Sequence, residues 1–494
     1  MKGRTCRAGG RGGPRFRRRT PVLALALLLL AAAARSAAAQ VPPHLEWRTF
    51  PTRHFRITYA PGLERLAAHA AERAEAAHAA LVAELGTAPD GPIDLMLSDH
   101  VDYSNGLTRI FPSNRIYLYA QPPVDHLTLG NFTDWLDVLI AHELAHAFHL
   151  DRPWTRAPGL RTVFGRVPVA WVFFPAAATP GWSIEGLATY FESRITGAGR
   201  LRGSIHEMMV RTDILEGAFE SIDQASGTGP QWPGPQRDYV YGSLFLDHLA
   251  RSRPAALRDI VRETAGSLLP PTLTFNAIGR RALGRSFSRA WDDWRQHLEA
   301  RYARLADSLG VAGLTRPERV ASTGYWSLFP RAAPDGRIAF YLEDGRNPPA
   351  IAVLHPDGRI HRLATLNQSG SEASPAAWLP DGTALITSGF EIHDLYCARQ
   401  DLVRVADGGA RRLTRGERLS NPDVARDGRR VVAVQSDAGA NRLVIHDLAA
   451  GTTRPLTALH ADTLWALPRW SADGSRIAAA RWTAGGFHDI VVLD

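Results

Sequence analysis

Three residues in one short run can do chemistry together. His142, Glu143 and His146 stand within residues 134–150, DWLDVLIAHELAHAFHL. The run has no Gly or Pro, and Leu136, Leu139, Ile140, Leu144 and Ala147 recur at helical spacing, so it reads as a buried helix. Residues four apart share a helical face, and both imidazoles can therefore reach one metal ion. Glu143, beside the first of them, can contact a water on that ion without being a ligand. This HExxH spacing is the one expected for two histidines on zinc and a glutamate as general base.

Such a site needs a third protein ligand and an open position for water. Residues 180–193 read PGWSIEGLATYFES, with Glu185 opening a second helical pattern. Gly186 and Ala188 are small enough to let this segment pack closely on the first helix. Glu185 can then complete a His, His, Glu set for one Zn2+ per chain, or stand as a solvated carboxylate at a helix start. Glu192 falls on the same face as Glu185 and can orient a ligand histidine through a hydrogen bond. His206, Glu207 and His248 read as surface or supporting groups.

At these residues the chain resembles the gluzincin metallopeptidases, whose signature is HExxH followed by a Trp-x-x-Glu-Gly-x-Ala helix. Here the two parts are HELAH, 142–146, and WSIEGLA, 182–188. The resemblance implies His142, His146 and Glu185 as metal ligands and Glu143 as catalytic base. It also implies a catalytic tyrosine, three residues before a glycine, aimed at the oxyanion. In RDYVYGSLFLDHL, 237–249, that pattern selects Tyr239 ahead of Gly242, with Tyr241 as the other candidate. RIYLY, 115–119, stands where the family's edge strand pairs with an extended peptide, and is otherwise an ordinary sheet strand. Two departures narrow the reading. His146 and Glu185 are separated by 38 residues, about twice the gap usual in the aminopeptidase N-like branch. No Gly-x-Met-Glu-Asn segment precedes the helix, which argues against a standard aminopeptidase and leaves an endopeptidase or another hydrolase open.

The elements around these residues follow from the rest of the chain. Residues 1–39 read as an export signal: Lys2 and seven arginines within 1–19 and no acid there, an apolar run from Pro21 to Ala34, then Ala37-Ala38-Ala39 as a cleavage site. A periplasmic or extracellular location follows. Nine of the 57 Lys and Arg lie in this leader, leaving 48 cations against 49 acids. That balance gives no basis for nucleic-acid binding. Cys6 leaves with the leader, so Cys397 has no intramolecular partner.

About 455 residues after the leader are too many for one core. A peptidase domain is expected over 40–310, a linker over 311–321 and a second domain over 322–494. The first opens with a strand over 54–59, an Ala-rich helix over about 63–85 and a strand over 93–99, with a turn at Asn105-Gly106. The insertion 151–179 runs into VPVAWVFFPAAATPGW, 167–182, too broken by prolines to cross a membrane. It can line a specificity pocket, cap the cleft, dip into a membrane surface or form a plain buried loop. A helix over 287–309 presents Trp291, Trp294 and Leu298 for docking on the domain.

The second domain is a repeat. Asp335-Gly336, Asp381-Gly382, Asp427-Gly428 and Asp473-Gly474 each precede a β-rich segment and recur every 46 residues. A tight turn between short strands at this period marks a β-propeller, and these repeats resemble those of TolB. The ring is four-bladed with borrowed closure, open and supported by the first domain, or truncated. The expected fold is an α+β gluzincin-like metallopeptidase domain followed by an all-β propeller of about four blades. The expected function is an exported zinc metallopeptidase, an endopeptidase first. A cell-envelope scaffold using the propeller, or a zinc hydrolase of a non-peptide substrate, are the alternatives. Expected partners are a peptide or protein substrate, an envelope protein on the propeller and a peripheral membrane contact, with no nucleic acid.

Overall fold

Alternating burial builds the first sheet of this computed structural model, which describes residues 41–494 except 124–130, 158, 169, 228, 230, 268, 316, 325, 368–372, 408 and 487. The leader therefore lies outside the described residues. β1 (Arg48–Pro51), β2 (Phe55–Tyr59), β3 (Ile93–Ser98), β4 (Gly106–Arg109) and β5 (Arg115–Tyr119) pair in the order β1-β2-β3-β5-β4. β2, β3 and β5 run parallel, and the outer strands β1 and β4 run antiparallel to their neighbours. Phe55, Ile57, Ile93, Leu95, Leu97, Ile116 and Leu118 are buried in strict alternation along the parallel strands.

RIYLY is thus an inner strand between β3 and β4, and the edge lies one strand further out. Gly106, expected in a turn, opens that edge strand instead. Four residues of β4 offer too short a run for any period to show.

Helices cover this sheet. α1 (Glu64–Leu85) buries Ala67, Ala70, Ala74, Ala77 and Leu81 at helical spacing. α2 (Trp135–Leu150) starts at Asp134, whose side chain accepts the Leu136 N–H at 3.1 Å. From Trp135 to His149 every residue but Asp137 is buried, so α2 is a central helix. It packs on α1 and on α3 (Gly181–Thr196). The chain continues through α4 (Ile205–Leu215), α5 (Arg237–Ser252), α6 (Ala256–Ala265), α7 (Pro271–Leu283) and α8 (Phe287–Ala312). On α8, Trp291, Trp294 and Leu298 are buried in the same core as Trp182, Tyr241 and Phe245.

Gly186 does not serve the α2 contact expected of it. A Cβ there would run into the backbone of Gly242, and one on Gly242 would meet the Trp182 carbonyl. The glycine pair sets the closeness of α3 to α5.

The remaining strands form a four-bladed propeller part: antiparallel meanders within 326–365, 377–412, 419–455 and 463–493, of four, four, four and three strands. Each Asp-Gly turn joins the first two strands of its blade. Gly336, Gly382, Gly428 and Gly474 all have φ between 68° and 84°, where a side chain is strained. The aspartates accept the N–H of Arg337, Thr383, Arg429 and Ser475 at 2.8–3.1 Å. The repeat in the sequence is therefore the repeat of one turn chemistry.

The chain divides into Met1–His44 and one compact unit, Leu45–Asp494. Within the latter, Trp326, Tyr341, Leu464 and Trp482 of the blades belong to the buried cluster of the sheet and helices. Among the described residues no helix is long and apolar enough to cross a membrane.

Candidate metal centre

α2 turns His142 and His146 to one side, with their Nε2 atoms 3.2 Å apart. α3 starts at Gly181, so Glu185 sits in its second turn rather than at its start. Its Oε2 lies 3.6 Å from His142 Nε2 and 3.3 Å from His146 Nε2. One ligand atom from each residue falls within 4.8 Å of the others, a group able to hold a metal ion.

The donor set fits zinc. Ligands held tetrahedrally at about 2.0–2.1 Å stand roughly 3.3–3.4 Å from one another, close to the spacings here. Glu185 Oε2 is buried and, among the described residues, makes no hydrogen bond, a need that a cation would meet. Despite burial, the two imidazoles hold the Glu185 carboxyl well below the usual range. Burial and Arg200 press the His142 imidazole down, but Glu185 and Glu192 outweigh them and carry it up to about 9. The same carboxylates favour any cation at this point.

Glu192, fully buried on α3, places Oε2 2.9 Å from His142 Nδ1. Arg200, in the turn after α3, binds Glu192 through its backbone N–H and Nε, each at 2.9 Å, and through Nη2 at 2.6 Å. Despite burial, Arg200 holds the Glu192 carboxyl well below the usual range. With His142 Nε2 turned to a metal, Nδ1–H donates a hydrogen bond to Glu192, and Arg200 Nη2 also stands 2.8 Å from Nδ1, so the two together fix the ring. Gly199 lets the chain return this closely: at φ 78°, a Cβ would stand 2.9 Å from Glu192 Cγ.

Glu143 lies under the edge strand. A Cβ on Gly106 would stand 2.5 Å from Glu143 Cγ, so only glycine lets β4 pass over the carboxylate. Thr108 Oγ1 lies 2.7 Å from both Glu143 Oε2 and the Glu143 carbonyl and can donate to one of them at a time. His142, Glu143, His146, Glu185, Thr108 and Tyr239 line one cleft of about 400 Å³.

The two tyrosines part company. Tyr239 stacks near His142, ring centroids 6.2 Å apart, with the Arg200 guanidinium 4.8 Å from its own centroid. Burial and the Glu185 carboxylate push its phenol up, so it remains an O–H donor at neutral pH. Tyr241 is fully buried, donates to Asp213 Oδ2 at 2.6 Å and stacks on Trp291.

None of the other titratable groups weighed from the sequence joins the centre. His206 is buried with Nδ1 3.4 Å from Ser243 Oγ, and burial pushes it down to about 3. Glu207 pairs with Arg301 at 2.5 Å, and the His248 ring lies beside His297. No described residue of the insertion 151–179 lines the cleft. Arg161 and Arg166 anchor it to the buried Asp151 at the end of α2, while Val163, Phe164 and Trp171 are exposed.

Arg200, Thr108 and Gly106 are residues of the cleft that the sequence did not offer. Arg200 stands eight residues past Glu192 beyond a helix end, a spacing with no helical meaning.

No protein-family model matches the chain, and no curated protein matches it. Among solved structures it is similar to TolB from Acinetobacter baumannii, with 19% identity, a TM-score of 0.30, and coverage of 36% of this chain and 43% of that one. It is also similar to a prolyl endopeptidase, at 13% identity and TM-score 0.27, covering 34% of this chain and 27% of that one. An oligogalacturonate lyase from Vibrio parahaemolyticus gives 15% and 0.26, covering 33% and 48%. The chain spans less than half the length of each of these structures, and likeness at this level carries nothing about activity.

Proposed function

We propose that the protein is an exported zinc-dependent endopeptidase of gluzincin type, with its chemistry in 40–310 and a propeller over 322–494 that restricts or guides access. The observation that carries this reading is the meeting of His142, His146 and Glu185 beside Glu143, beneath an edge strand. These three residues would hold Zn2+, which when bound polarises a carbonyl and makes water acidic near neutral pH. An extended peptide adds to the outer edge of β4 through main-chain hydrogen bonds, laying its backbone along the cleft. Glu143 takes a proton from the attacking water and delivers it to the leaving amine as the C–O bond forms and the C–N bond breaks. Tyr239 donates to the carbonyl oxygen as negative charge builds there. Glu192 and Arg200 keep His142 oriented throughout. The leader 1–39 supports export.

The test pairs metal content with turnover. Mass spectrometry of the mature protein should give one zinc per chain, lost in Glu185→Ala. A peptide library should be cleaved by the wild type and not by Glu143→Ala, which keeps its metal. Zinc without peptide turnover would move the site to a non-peptide substrate. Neither zinc nor turnover in a folded protein would leave an envelope scaffold.

A further inference from the structure

We propose that the propeller is part of the substrate-binding device: Arg399 and Arg418 clasp residues 99–102 and thereby set the position of β4 over Glu143. This rests on the peptidase reading for its meaning, but its geometry stands apart from the metal centre.

The clasp is built from two blades. Arg399 lies in a strand of the second blade, Cys397–Ala406, and Arg418 immediately precedes the first strand of the third, Leu419–Val424. Arg418 grips Asp99 with both terminal nitrogens, at 2.6 and 2.7 Å, and Asp102 with Nε at 2.8 Å. Arg399 reaches Asp102 Oδ1 at 3.0 Å and the Asp99 carbonyl at 2.7 Å. Backbone joins in: the Asp102 N–H donates to the Ala398 carbonyl at 2.9 Å and the Ala398 N–H to the His100 carbonyl at 3.0 Å. The Gln400 N–H donates to the second Asp102 oxygen at 2.9 Å.

This is more than a surface tether. Asp102 is 4% exposed, and Asp99, Arg399 and Arg418 are partly buried around it, so the four charges meet with limited access to water. A buried, fully hydrogen-bonded ion network adds little net stability against an apolar packing, but it admits one arrangement, and losing one member strands the others. Arg418 also holds φ 60°, a left-handed conformation unusual for a residue with a side chain. A strained residue at the centre of a bidentate grip is a position fixed by its surroundings.

The position matters because of what comes next. Three residues separate Asp102 from Gly106. The Tyr103 ring lies between Tyr119 of β5 and Phe390 of the second blade, at 5.1 and 5.9 Å between centroids. Ser104 and Asn105 already line the cleft. β4 has β5 as its one sheet neighbour and meets α2 through Thr108 and Glu143, so the chain entering it is a further constraint. There is no slack at its far side, where Gly106 clears Glu143 only by lacking a side chain.

The test uses the full mature chain with Arg418→Met, and Arg418→Lys as a milder variant that keeps the charge but loses the fork. Hydrogen exchange at 105–109 should quicken about tenfold or more in Arg418→Met and less in Arg418→Lys, with exchange in α2 unchanged. Zinc should stay at one per chain. KM for a library-derived peptide should rise about tenfold while kcat changes less, since β4 binds the peptide and the metal ligands are untouched. Unchanged exchange at 105–109 in both variants would overturn the proposal, as would quickening spread evenly over the chain. If Arg418→Met does not fold, the lysine variant decides by the same two readouts. A wild type that cleaves no peptide sinks the peptidase reading, while the exchange pattern still decides whether the blades position β4.

Discussion

Glu192 Oε2 lies 2.9 Å from His142 Nδ1, and Arg200 closes on the same carboxylate oxygen at 2.6 Å. All three side chains are buried or nearly so, so the carboxylate is both the anchor of an imidazole and the counter-charge of a guanidinium. Glu192→Gln keeps an oxygen that can accept from Nδ1 but removes that charge. Zinc affinity should fall about 10–100-fold, as is usual when the partner of a ligand histidine is mutated. Competition with a chelator measures this directly. The melting temperature should fall as well, because Arg200 is left buried without its anion. Wild-type zinc affinity in Glu192→Gln would mean that the hydrogen bond to Nδ1 suffices and the charge of Glu192 adds nothing to the metal site.

Tyr239 and Tyr241 give a paired prediction. Tyr239→Phe removes the one phenol lining the cleft among the two, so kcat should fall about a hundredfold with zinc content unchanged. Tyr241→Phe removes a donor to Asp213 far into the aromatic core, so kcat should hold and stability drop by about 1 kcal/mol. Steady-state kinetics beside thermal melts separates the two. A large kcat loss in Tyr241→Phe alone would exchange their roles.

Gly186→Ala should be severe although it adds only a methyl group. That methyl would collide with the Gly242 backbone, which cannot rotate away as a side chain can. Overpacking of this kind costs about 1–3 kcal/mol. Because the displaced helix carries Glu185, metal content should fall together with the melting temperature. Retained zinc at full occupancy would show that α3 yields on its other side.

What the sequence made legible follows from how local each signal is. His142 and His146 are fixed by helical period within one element, and the Asp-Gly turns by residues adjacent in the chain. Glu185 was readable because its helix carries Trp182 and Gly186 around it, although the glycine turned out to serve α5 rather than α2. Arg200, Thr108 and Gly106 were not, since each acts across an element boundary where no period links it to its partner. The inner place of RIYLY was hidden for the same reason: strand order in a sheet is set by pairings of distant segments, and β4 is too short to announce itself.

The junction of the third and fourth blades yields a pH dependence. Asp423 Oδ2 accepts the backbone N–H of Trp470 at 2.8 Å across that junction. Burial pushes the Asp423 carboxyl up to about 6, against the pull of the Trp470 N–H and Arg331. A carboxyl whose folded value lies above its unfolded one binds its proton more tightly when folded. Its contribution is therefore complete below the unfolded value, near 3.9, and is lost as pH rises through about 6. Asp423→Asn keeps an acceptor for Trp470 and has nothing to titrate. The variant should match the wild type near pH 4 and exceed it by about 2–3 kcal/mol at pH 7. Melting curves of both proteins from pH 4 to 7 check this. The gap should open between pH 4 and 6 and then stay constant, whereas parallel curves would mean that Asp423 is ionised at no cost in the folded blades.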